Sequence, residues 1–198
     1  MKKKLLKYVI MLSAAVIMLA VSCTKKVNYN QDVVTLTKGF YNDYLKAINN
    51  NSNDEAITKI KTLYMTDVLV DELELRTWEL EADAITGVQD ATGFNKYLEI
   101  EKGQDDSWAV ATFTVPSENN EVAKNIYKFD IHYRTIDDKK LMDTYDFTWT
   151  EIDEYGTKGE SVYKTRYANK EVLTEEDKKA MQSIRNYYED LFAEGYIS

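Results

Sequence analysis

Over the middle of the chain the hydrophobic pattern switches from a helical period to a period of two. Trp108-Ala109-Val110-Ala111-Thr112-Phe113-Thr114-Val115 and Tyr127-Lys128-Phe129-Asp130-Ile131-His132-Tyr133 alternate or run apolar with β-branched and aromatic residues, the signature of strands. The pattern predicts strands over 94–102, 108–116, 122–135 and 141–152, with a further short strand over 161–167 after the turn Tyr155-Gly156-Thr157-Lys158-Gly159. Between them lie only Gly103-Gln104-Asp105-Asp106, Ser117-Glu118-Asn119-Asn120 and Asp137-Asp138-Lys139-Lys140. Connections this short make hairpins, whereas parallel neighbours need a crossover of a dozen or more residues. The sheet is therefore antiparallel.

Helices flank it. Val33, Leu36, Phe40, Tyr44 and Ile48 recur every three or four residues and predict a helix over 32–49. The polar run Asn49-Asn50-Asn51-Ser52-Asn53 ends that helix, and Ser52-x-x-Glu55 reads as a capping box for a second one carrying Ile57, Ile60 and Leu63. Thr66 caps a third, with Val68, Leu69 and Leu73 inside and Asp67, Asp71 and Glu72 outside. A closing helix starts at Thr174-x-x-Asp177, with Met181, Ile184, Tyr188 and Leu191 on one face and Tyr187 and Phe192 alongside. Helices, then strands, then a helix give an α+β domain in which the leading helices cover one face of a curved antiparallel sheet. This order resembles the cystatin- and nuclear-transport-factor-2-like cone fold, in which a curved sheet wraps a long N-terminal helix.

The first residues belong to a different problem. Lys2, Lys3, Lys4 and Lys7 precede an apolar run over 8–21, broken only by Ser13. That run suits a secretory signal and falls short of the ~20 residues that cross a bilayer. Residues 1–22 read as a removed signal peptide, 23–31 as a tether, and 32–198 as a single α+β domain. Removing 1–22 takes away four lysines and no acid, so the formal charge moves from −9 to −13. So acidic a body argues against nucleic acid, whose phosphates need lysine and arginine clusters. Its 44% hydrophobic and 12% aromatic content is enough to bury a core.

Cys23 is the only cysteine. It is either an incidental thiol or the first residue of the mature chain, and an exposed free thiol is a liability in an oxidising envelope. Leu19-Ala20-Val21-Ser22-Cys23 resembles the lipobox of bacterial lipoproteins, in the loose form common among Bacteroidetes; Ala20 stands where the strict pattern prefers leucine. The resemblance implies acylation of Cys23 and attachment to a cell-envelope membrane. Residues 24–31 would then let the domain stand at most ~25–30 Å from the lipid. Thr24-Lys25-Lys26, in place of an acidic surface-export tag, points to the outer membrane and its periplasmic face.

A second resemblance runs along the domain. Phe40-Tyr41-Asn42-Asp43-Tyr44-Leu45, Tyr64-Met65-Thr66-Asp67-Val68-Leu69, and Asp83 followed by Val88-Gln89-Asp90-Ala91 are similar to the domain of unknown function numbered 3828, over about residues 33–150. The stretch Asp83-Ala84-Ile85-Thr86-Gly87 departs from it by lacking a second acidic residue. That family has no assigned chemistry, so the resemblance implies a fold and an envelope location.

Candidate chemistry is sparse. Asp83 and Asp90 are either a carboxylate pair able to share a proton or bind a cation, or a backbone acceptor and a turn residue. Gln89 lies beside them, and all three fall in the helix-to-sheet crossover where a pocket mouth is expected. The one histidine, His132, sits in an alternating strand, which leaves no His- or Cys-rich zinc set. No Gly-x-Ser-x-Gly elbow accompanies it, and no glycine cluster marks a phosphate cradle. No cofactor is implied. Trp78, Trp108 and Trp149 are candidates for stacking on sugars; Trp78 stands out because Glu79 and Glu81 place it in polar sequence. The expected function is a lipid-anchored, non-catalytic binding or accessory module for a small ligand or envelope partner. The alternatives are an envelope hydrolase or isomerase using Asp83 and Asp90, and a carbohydrate-binding lipoprotein.

Overall fold

A computed structural model describes residues 26–117 and 120–194. Residues 1–22 and Cys23, which carry the expected signal and lipid site, lie outside the described residues. Helices α1 (Val33–Asn49), α2 (Asp54–Tyr64) and α3 (Asp67–Leu80) come first, then strands β1 (Leu98–Lys102), β2 (Trp108–Ser117), β3 (Asn120–Ile136), β4 (Lys139–Ile152) and β5 (Lys158–Tyr163), then α4 (Glu175–Ala193). The sheet is a meander in the order β1-β2-β3-β4-β5, antiparallel throughout. This is the expected α+β class, and it is compatible with the cone arrangement.

Local chemistry sets the helix ends. The Asp32 carboxylate accepts from the Thr35 amide at 3.0 Å, starting α1. Thr66 accepts from the Leu69 amide at 3.3 Å, starting α3. The capping box expected at Ser52 does not form: Asn53 is the cap, accepting from the Ala56 amide at 3.0 Å, and Ser52 stays in the preceding turn. Its amide closes that turn on the Ala47 carbonyl instead.

The inner face of the sheet packs against α1, α2 and α3. Register brings Ala111 opposite Phe129 and Phe129 opposite Phe147, so one stripe of the sheet is apolar and a one-residue slip would turn it to solvent. Ala109 and Ala111 of β2 and Phe40 and Tyr41 of α1 are all fully buried in one core, and the small side chains on the strand leave room for the helix. Phe129 stacks on Phe147 at 4.9 Å, and Tyr41 meets Phe113 edge-on at 5.5 Å, geometries that favour ring pairs.

Three further expectations are corrected. The first strand does not begin at Phe94: residues Phe94–Tyr97 form a 3-10 turn after Gly93 (φ 73°). Phe94 turns inward to within 5.1 Å of the Phe113 ring, and the chain straightens only at Leu98. The last strand is Lys158–Tyr163 rather than 161–167; beyond Tyr163 the backbone leaves the sheet because side chains take over its hydrogen bonds. Glu72, expected outside α3, is buried at 1% exposure, where it accepts from the Arg166 and Tyr167 amides at 2.6 and 3.0 Å and faces Arg76 at 3.3 Å.

Candidate functional site: the groove between helix ends

One end of the helical layer opens into a groove of about 670 Å³. The C-terminal end of α1 contributes Tyr44 and Ile48, α2 contributes Asp54, Ile57 and Lys61, and α3 contributes Thr77 and Trp78. The loop after α3 adds Glu81, Asp83 and Gln89, and Phe192 reaches in from α4.

That loop is folded around Asp83. Its carboxylate accepts from the Tyr44 hydroxyl at 2.8 Å, the Ile85 amide at 3.1 Å and the Thr86 hydroxyl at 2.8 Å. Its carbonyl accepts from the Gly87 amide at 2.7 Å. Gly87 sits at φ 75°, and a β-carbon there would meet Phe147 at 2.8 Å and Tyr127 at 2.9 Å, so glycine is needed on both counts. Ile85 is fully buried, and its carbonyl accepts from the Tyr145 hydroxyl at 2.9 Å; the Tyr145 and Tyr41 hydroxyls in turn touch each other. Burial pushes the phenols of Tyr41, Tyr44 and Tyr145 well above their ordinary value, with the nearby Asp83 charge adding to the effect. All three are neutral donors that fix the groove wall.

The structure brings Trp78, Asp83 and Gln89 into one groove and leaves Asp90 out of its lining. Asp90 is exposed and accepts from the Thr92 amide at 2.8 Å; the hydrogen bonds from Thr92 hold its carboxyl below the usual range. Asp83 already has three donors. The two carboxylates therefore serve separate turns.

Trp78 is half-buried on the groove wall. Its neighbour Glu79 is not a free solvated charge: Arg166 grips both its carboxylate oxygens, at 2.6 and 2.7 Å. Trp108 stacks on His132 at 4.7 Å, while Trp149 is exposed on the sheet and donates to Asn125 at 3.0 Å. Among the described residues no group of three His, Cys, Asp or Glu side chains is arranged to hold a metal ion. No helix among them is long and apolar enough to cross a membrane.

Sequence reasoning missed Tyr44, Lys61 and Phe192 as groove residues. Tyr44 was legible only as part of an apolar helix face; nothing in the pattern tells a phenol that packs from one that also holds a carboxylate. Phe192 carried a weak signal, an aromatic set just off the apolar face of a helix.

No family model and no curated protein matches this chain. The resemblance to the domain numbered 3828 stands on the quoted motifs alone. Among solved structures, the chain is similar to a Bacteroides thetaiotaomicron protein of unknown function, at 21% identity and a TM-score of 0.47, over 57% of this chain and 86% of that one.

Proposed function

We propose that the protein is a lipid-anchored cell-envelope module, acylated at Cys23 and held at the periplasmic face of the outer membrane. Its groove binds a small ligand or a short segment of an envelope partner, without chemistry. The observation that carries this reading is the groove itself, where Trp78 and Phe192 offer ring surface beside Gln89 and Lys61, over the buried Tyr44 ring. Pockets of this size with a few converging polar groups are where ligands bind. The state of the carboxylates favours binding over catalysis. An acid/base pair needs two groups sharing one site with a carboxyl free to exchange its proton. Here Asp83 is engaged by Tyr44, Ile85 and Thr86, and Asp90 lies outside the groove.

A carbohydrate ligand is the second reading, favoured by the partly exposed Trp78 ring on the wall. Titration with neutral oligosaccharides and with short peptides, followed by tryptophan emission, separates the two. A saturable change with either probe that Trp78→Ala abolishes supports the groove, and the responding class names the ligand type. A response that survives Trp78→Ala moves binding elsewhere. Turnover of ester, amide or glycoside substrates lost in Asp83→Asn would overturn the non-catalytic reading.

A further inference from the structure

Within the segment expected to be a free tether, the described residues 26–31 are folded onto the domain. Val27 packs against the core, and the Tyr29 hydroxyl donates to the Leu63 carbonyl at the end of α2 at 2.8 Å. Lys140 of β4 donates to the Gln31 carbonyl at 3.1 Å, and the next residue, Asp32, caps α1. Only Thr24, Lys25 and Lys26 separate Cys23 from this docked chain. Fully extended, the four steps from Cys23 to Val27 reach ~13 Å, about half the span open to a free 24–31 tether.

A leash that short restricts which way the body faces. The docked segment enters at the N-terminal end of α1, whereas Tyr44 and Ile48 of the groove lie near its other end. Eleven to fifteen helical residues separate them from Val33, ~20 Å at ~1.5 Å per residue. Charge runs the same way. The hollows beside the docked segment are lined by Lys26, Lys38, Lys102 and Lys140 against Asp32 and Asp106. The groove carries Asp54, Glu81 and Asp83 against Lys61 alone. Anionic lipid headgroups attract the first end and repel the second.

We propose that the N-terminal end of α1, with its surrounding lysines, is the face the domain turns to the lipid surface, so that the groove opens away from the bilayer. This rests on the acylation of Cys23 proposed above. The ligand or partner then reaches the groove from the aqueous side and never through the membrane.

The test uses the full acylated protein in vesicles of phosphatidylethanolamine and phosphatidylglycerol containing a headgroup spin-labelled lipid. Acylation occupies the Cys23 sulfur, so one added cysteine takes a maleimide fluorophore by itself. Lys38→Cys marks the lysine-bearing end and Glu55→Cys the groove end; both positions are exposed. Six to ten helical residues, ~9–15 Å, separate Lys38 from Tyr44 and Ile48, so the Lys38→Cys probe is expected to be quenched about twofold more strongly. Inserting about twelve Gly/Ser residues between Lys25 and Lys26 is expected to level the two signals. Equal or reversed quenching on protein whose N-terminal peptide carries acyl chains overturns the orientation and leaves the anchor standing. A difference that survives the insertion overturns the short leash as its cause. An N-terminal peptide without acyl chains overturns anchor and orientation together.

Discussion

The layer of α1, α2 and α3 on the sheet and the C-terminal stretch 164–194 are held by different forces. In the first, Phe40, Tyr41, Leu73, Phe113 and Phe129 are buried to 0% exposure, and cohesion comes from area removed from water. In the second, α4 has no buried residue and Leu173 is the one buried apolar side chain among those described. Residues 164–173 are instead strapped on by charge. Glu72 takes the Arg166 and Tyr167 amides, Asp146 the Thr165 amide at 2.8 Å, and Asp143 the Asn169 amide at 2.9 Å. Arg134 returns two bonds, to the Asn169 and Lys170 carbonyls at 3.3 and 2.9 Å. Arg185 ties α4 to Glu74 of α3 at 2.9 Å on the surface. Burial by area is cumulative and carries no charge for salt to screen, whereas a strap of charged acceptors fails wherever one of them is neutralised or removed. The two parts should therefore come apart separately.

The largest break is expected in the first part. Phe40→Ala removes a fully buried ring that touches Tyr41, Tyr44 and Tyr64 and should destabilise the fold by about 3–5 kcal/mol. Urea unfolding should then carry α1 and the sheet down in one transition. A loss under about 1 kcal/mol would mean that the ring is not packed as described.

Glu72→Ala tests the strap, with a loss of about 3 kcal/mol. The substitution leaves two backbone amides unpaired and strands Arg76, at 3% exposure, without its carboxylate. Burial, outweighing Glu72, already lowers the Arg76 guanidinium below its ordinary value, so the site has little tolerance for a further loss. Amide exchange should accelerate across 164–173 well before it does in β2 and β3. Simultaneous acceleration in both would erase the distinction between the two parts.

The same division decides what was readable in the sequence. Period-two alternation along 108–115 and 127–133 and the 3.6-residue spacing of Leu36, Phe40 and Tyr44 translate directly into burial, because one apolar face has one place to go. The face of α4 was legible too: Met181, Ile184, Tyr188 and Leu191 are its half-buried apolar side chains, with Tyr187 and Phe192 exposed. The strap was not. Glu72 occupies a helix position where an acid is ordinarily solvated, and only the return of 164–173, some ninety residues later, supplies the amides that bury it. In the groove, Asp83 and Gln89 came together as the crossover loop required, Asp90 stayed out, and Trp78 joined them from the end of α3. The roles of Asp83 and Asp90 depended on which donors surround them, and composition does not encode that. The docking of 27–31 was hidden for the same reason: one valine and one tyrosine in a polar stretch give no period.

The smallest effect is expected at the start of α4, where the comparison can be sharpened by pH alone. Thr174 and Asp177 form a reciprocal capping box, and Lys170 donates to both Asp177 oxygens at 2.7 Å. Lys170 first, then Thr174, hold this carboxyl down at about 2. A carboxyl lower in the folded than in the unfolded chain stabilises above the unfolded value, and the contribution fades as pH falls through the folded one. The cap is thus whole above about pH 4 and lost toward about pH 2. Asp71, on the neighbouring face of α3, works in the opposite direction. Burial, then Glu74 and Asp67, raise its carboxyl, so acid relieves it as Asp177 gives way. The net change is small and confined to one helix end. Exchange of the α4 amides should rise between pH 4 and pH 2 while near-ultraviolet circular dichroism of the aromatic core holds its signal, and Asp177→Asn should flatten that rise. If the core signal collapses at the same pH as the α4 amides open, or if Asp177→Asn leaves the rise intact, the C-terminal helix is not held on separately by its cap.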